Sequence, residues 1–114
     1  MAAKDNILKE KSFDFSLKVL DLTSKLKEVK QFEIAGQVLR SGTAIGANIV
    51  EAQRAESKKD FVHKLTIALK EADETKYWFE IINAKIFEID SELSNLNEEL
   101  IKLLVSIIKK TKNS

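Results

Sequence analysis

The chain has 114 residues, 44% hydrophobic and 32% charged, with three glycines, no proline and no cysteine. That length is one domain with enough apolar residues for a core, and the missing cysteines exclude disulfides, thiolate metal sites and a cysteine nucleophile together. A formal net charge of +1 excludes a molecule whose overall charge alone traps polyanions.

So few turn-forming residues imply long helices with short connections. The expected fold is all-α: an antiparallel up-down-up-down four-helix bundle in a single domain 1–114, with helices at about 6–29, 33–55, 58–87 and 92–111. No segment approaches the ~20 apolar residues of a membrane span, and Met1-Ala2-Ala3-Lys4 leads into charged sequence without an apolar run. A cytoplasmic protein is expected by default.

In the first helix Phe13, Phe15, Leu17 and Val19 alternate as a strand would, but the apolar pattern continues through Leu20, Leu22 and Leu26. At ~100° per residue it resolves into two stripes. One is Leu8, Phe15, Val19, Leu22, Leu26 and Val29; the other, almost opposite, is Phe13, Leu17 and Leu20. An edge helix of a monomeric bundle needs one stripe. The second is expected to be covered in a subunit interface, the alternative being one broad stripe around a crowded core.

In the second helix Ile34, Val38, Ile45, Ile49 and Ala52 recur with helical period. Gly42 and Gly46 sit one turn apart, each costing about 1 kcal/mol of helix stability relative to Ala. With Ala35 they make a small-residue line suited to close approach by another helix, or alternatively to a binding groove. The same spacing serves membrane helices, but Arg40, Asn48, Glu51 and Arg54 exclude a span here. Arg40 and Arg54 are fourteen residues apart, on nearly the same side of a helix, and the guanidinium fork suits phosphate. Their alternative partners are Glu51, Glu33 or a neighbouring subunit. Asn48 and Glu51 are expected to be bonded within the bundle or across subunits.

The third helix opens at Ser57, followed three residues on by Asp60, a weak capping box with an acid at the positive helix end. Phe61, Leu65, Ala68, Ala72, Phe79 and Ile86 form its core face. Ile67, Trp78 and Ile81 lie off that face beside Glu71 and Glu74, a second possible contact surface. Asp90 and Ser91 make the last turn and cap, and Leu93, Leu96, Leu100, Leu104, Ile107 and Ile108 form the fourth core face. Residues 61–100 carry four lysines against nine acids, whereas 101–114 carry Lys102, Lys109, Lys110 and Lys112 and no acid. That tail is either a solvated helix end or a nucleic-acid contact.

Catalytic patterns are thin. His63 is the single histidine. Asp60-x-x-His63 pairs a carboxylate with it, but a di-iron bundle needs two Glu-x-x-His motifs, and none occurs. There is neither a nucleophile elbow nor a glycine-rich phosphate loop. No enzyme, metal or cofactor is expected.

Three motifs remain. The pattern R-S-x-x-S/T-I-x-A-N-I-x-E falls on Arg40, Ser41, Ile45, Ala47, Asn48, Ile49 and Glu51, with Ala44 departing from its Ser or Thr. S-x-x-D-F falls on Ser57, Asp60 and Phe61. A-L-K-E-x-x-E-T-x-Y-W falls on Ala68, Leu69, Lys70, Glu71, Glu74, Thr75, Tyr77 and Trp78. Together they resemble the four-helix-bundle family of 23S rRNA intervening-sequence proteins, encoded in rRNA-gene inserts of some bacteria and by free-standing genes in others. That family is similar in turn to the accessory protein of diversity-generating retroelements, a pentameric bundle that binds nucleic acid and a reverse transcriptase.

The resemblance implies a bacterial, ribosome-associated homo-oligomer, a pentamer, with RNA or a ribonucleoprotein as partner. Phe13, Leu17, Leu20 and Trp78 are its candidate interface residues. Arg40, Arg54, Lys102, Lys109, Lys110 and Lys112 are candidate nucleic-acid contacts, chosen on charge. The alternative is a protein-interaction scaffold that binds no nucleic acid.

Overall fold

A computed structural model describes the backbone of residues 3–114 and the side chains from Ile7 onward. Four helices follow one another: α1 (Ala3–Glu28), α2 (Phe32–Ala52), α3 (Lys58–Lys85) and α4 (Ser91–Lys112). Each packs on its chain neighbours and α4 closes back onto α1, while the diagonal pairs approach only through core side chains. This is the expected up-down-up-down bundle, 47 Å long and 21 × 19 Å across. α2 stops three residues short of the expected Ala55, because the chain turns at Gln53 and Arg54 to enter α3.

The connections are short, and each is held by local hydrogen bonds. α1 ends in a Schellman motif: Gln31 N–H reaches the Leu26 carbonyl and Lys30 N–H that of Lys27, each at 2.9 Å. Lys30 takes the left-handed position (φ 64°) usually given to glycine. At α3 the Ser57 hydroxyl accepts from Asp60 N–H at 3.0 Å, and the Asp60 carboxylate accepts from Glu56 N–H. The cap of α4 falls on Asp90, not Ser91, and accepts from Glu92 N–H at 3.0 Å.

The first α1 stripe is core: Leu8, Phe15, Val19, Leu22 and Leu26 are buried, but Val29 is half exposed past the helix end. Phe15 lies against Phe79, ring centroids 6.2 Å apart. On α2 the fully buried position is Ala35, with Ile34 only half-buried beside it. On α4 Leu96 and Ile108 are half-buried, and the polar Asn97 takes the core place between Leu93 and Leu100. Its amide donates to the Ala72 carbonyl at 3.3 Å, leaving its own carbonyl oxygen unpartnered.

The glycines of α2 serve close packing. A Cβ on Gly42 would stand 2.9 Å from a Val19 methyl, while one on Gly46 would meet Ser12 and Ser16 at ordinary contact distance, 3.4–3.5 Å. The small-residue line is therefore filled by α1 at Gly42. Beside Gly46 an open groove of about 620 Å³ remains, lined by Phe13, Ser16, Ala47 and Val50 among others.

Candidate functional site

Two clusters gather the polar side chains singled out above. The first lies across α2 and α3, at mid-length. Arg40 donates to Glu71 at 3.2 Å and, through its other terminal nitrogen, to Glu74. Trp78, one turn along α3, donates its indole N–H to the same Glu74 oxygen at 3.0 Å. Below them the buried Ser41 and Thr75 hydroxyls are 2.8 Å apart. Thr75 gives its one proton to the Glu71 carbonyl at 2.8 Å, so Ser41 must be the donor between them. Tyr77 is exposed, with its ring 5.5 Å from Trp78 in a tilted arrangement.

The expected Arg–Glu bridges within α2 are thus corrected. Arg40 pairs with α3 rather than with Glu33 or Glu51, and Glu51 pairs with Lys64 at 2.9 Å. One guanidinium held by two carboxylates is an acidic cluster overall, so Arg40 is committed and a poor phosphate contact. Asn48 bonds the Ala44 carbonyl of its own helix at 2.9 Å. Ile45 and Ile49 are core, Phe61 packs half-buried against the core, and His63 is exposed.

The cluster has a pH signature. The Trp78 hydrogen bond, and after it Arg40, hold the Glu74 carboxyl below the ordinary glutamate value of 4.5. A depressed folded-state pKa adds stability above the unfolded value, and that stability is lost as pH falls through the folded one. Stability is expected to fall on acidification below about pH 4.5, and Glu74→Gln is expected to flatten part of that fall. Urea midpoints compared at pH 3.5 and 6 would check it.

The second cluster is the end of the bundle where α2 stops, α3 starts and α4 finishes. Lys58 donates to the backbone carbonyl of Ser114, which brings the α2–α3 turn against the α4 end. Arg54, in that turn, therefore shares this pole with Lys58, Lys59, Lys109, Lys110 and Lys112, all exposed. None of the six makes an ion pair with another described residue. Against them stand Glu56 and Asp60, so six cations meet two acids, a net +4.

The helical argument that linked Arg54 to Arg40 fails, since α2 ends at Ala52. Lys102 is exposed about two turns up α4 from Lys109. Sequence reasoning missed Lys58 and Lys59. The signal was available, because in an up-down-up-down bundle the second connection and the fourth helix end lie at one pole.

A family model for the 23S rRNA-intervening sequence protein matches residues 4–109. The chain belongs to this family. A solved structure from Bacteroides thetaiotaomicron, described as a protein of unknown function from the S23 ribosomal protein family, is 46% identical. The match covers 93% of this chain and 98% of that one, with a TM-score of 0.88. No curated protein matches the chain. Within this chain the first and third motifs meet through Arg40, Ser41, Glu71, Glu74, Thr75 and Trp78. They read as a latch between α2 and α3.

The candidate interface residues differ among themselves. Phe13 (66% exposed), Leu17 and Leu20 (48% each) form a continuous apolar stripe on the outside of α1. Trp78 is half-buried with its N–H satisfied, and Tyr77 is the aromatic exposed beside it. No group of three or more metal-ligating side chains occurs among the described residues. Among the described residues no helix is long and apolar enough to cross a membrane.

Proposed function

We propose that this member of the family is a non-enzymatic, self-associating bundle that binds RNA or a ribonucleoprotein through its basic pole. The observation that carries this is the convergence of Arg54, Lys58, Lys59, Lys109, Lys110 and Lys112, exposed and without carboxylate partners among the described residues. Exposed cations gathered on one face are the footprint of phosphate binding. The self-association reading is supported by Phe13, Leu17 and Leu20, which expose apolar surface beside the groove at Ala47 and Val50. A pentamer is the expected assembly, and five copies would repeat the +4 pole five times.

The test is RNA binding at two salt concentrations, on protein whose native mass has been set by light scattering. Oligomeric protein is expected to bind with a steep salt slope, as released counterions require. An oligomer that fails to bind at low salt would refute the reading. The same exposed stripe favours a second reading, a scaffold for protein partners without nucleic acid. Partners retained after nuclease treatment would support it.

A further inference from the structure

We propose that the basic pole takes RNA in double-stranded form, contacting the phosphates of paired strands and not the bases of a single strand. This rests on the RNA-binding reading above and narrows its ligand.

The pole supplies charge but, among the described residues, no exposed Phe, Tyr or Trp ring; its planar groups are the Arg54 guanidinium and, five residues into α3, the exposed His63. The phenyl ring at the start of α3, Phe61, is half-buried against the core. The exposed Phe and Tyr rings lie elsewhere. Phe32 opens α2 at the opposite end of the bundle. Tyr77 is nineteen residues into α3, about 28 Å from the pole at the rise of a helix. Phe13 is ten residues into α1, about 15 Å along it. Residues 1–6 contain no aromatic.

Proteins that hold single strands combine a basic groove with aromatic platforms on which successive bases stack, and sequence-specific RNA modules splay and stack unpaired bases likewise. Here the cations stand on helix ends and a tight turn, across a face about 20 Å wide. With no row of aromatic platforms for successive bases, affinity follows phosphate density. A duplex offers more phosphate per unit length than one strand and releases more counterion per contact. Its phosphates are also already ordered, so little conformational freedom is lost on binding.

The experiment titrates the protein, by fluorescence anisotropy at low salt, against a blunt RNA duplex and against an unstructured poly-U strand of equal nucleotide length. The duplex is expected to bind at least about tenfold tighter, with the steeper salt slope. Single strands bound as tightly as the duplex, or more tightly, would overturn the double-strand proposal and leave RNA binding standing. If neither form binds, both readings fall.

Discussion

Reversing Arg54, Lys59, Lys109 and Lys110 to glutamate in one variant is expected to weaken RNA binding by at least about a hundredfold at low salt. The pole then changes from a net +4 to −4, since each reversal moves the charge by two. Binding carried by a few phosphate contacts responds to such a change through lost counterion release, so the salt slope should collapse with the affinity. All four side chains are exposed, and surface substitutions of this kind usually shift stability by no more than about 0.5 kcal/mol each. Glutamates at 109 and 110 also oppose the α4 dipole, so thermal melts belong beside the binding curves. Arg40→Ala is the informative control. Its guanidinium is held by Glu71 and Glu74, and its loss should leave RNA binding unchanged. If Arg40→Ala abolished binding while the pole variant bound normally, the site would be the α2–α3 latch and the basic-pole assignment would be wrong.

Gly42→Val is expected to destabilise the fold by about 3 kcal/mol, the upper range for overpacking a filled core. Even a single Cβ at this position would stand 2.9 and 3.0 Å from the two methyl carbons of Val19, which is itself fully buried. A β-branched residue adds two more carbons with little rotamer choice in a helix. α1 and α2 would have to separate along their shared face. Val19→Ala in the same chain removes the opposing methyls and should restore part of the loss, giving a coupling that a double-mutant cycle measures. Gly46→Ala makes only ordinary contacts with Ser12 and Ser16, and Gly36 has open space where its Cβ would be. Both should be neutral or stabilise by up to about 1 kcal/mol through helix propensity. Urea unfolding of these variants and of Val19→Ala alone would test the ordering, and an undiminished Gly42→Val midpoint would refute the close-packing role.

Most of the fold was legible because it is written locally. Without proline, and with apolar residues at helical spacing, Phe15, Val19, Ile45, Ile49, Leu65, Leu100 and Leu104 could be assigned to the core from period alone, and all are buried. The second stripe of α1 was legible for the same reason, because Phe13, Leu17 and Leu20 share one face whatever that face meets. Asn97 escaped because a polar residue between leucines reads as surface. Its burial depends on where α3 lies, since its amide bonds a carbonyl twenty-five residues away.

The candidate site was legible only as parts. Sequence by itself determined four amphipathic helices, their caps and connections, and the presence of unpaired charge near the chain's end. It also carried the motifs of the 23S rRNA-intervening sequence family, because such patterns are linear. The tertiary structure alone decided which charges meet. Arg40 is neutralised by Glu71 and Glu74, thirty-one and thirty-four residues on. Lys58 is drawn to Ser114 across fifty-six residues, so the turn at Arg54 joins the α4 lysines in one pole. Coulombic attraction and its screening depend on distance in space over a few ångströms, and helix period carries no information about the register between helices.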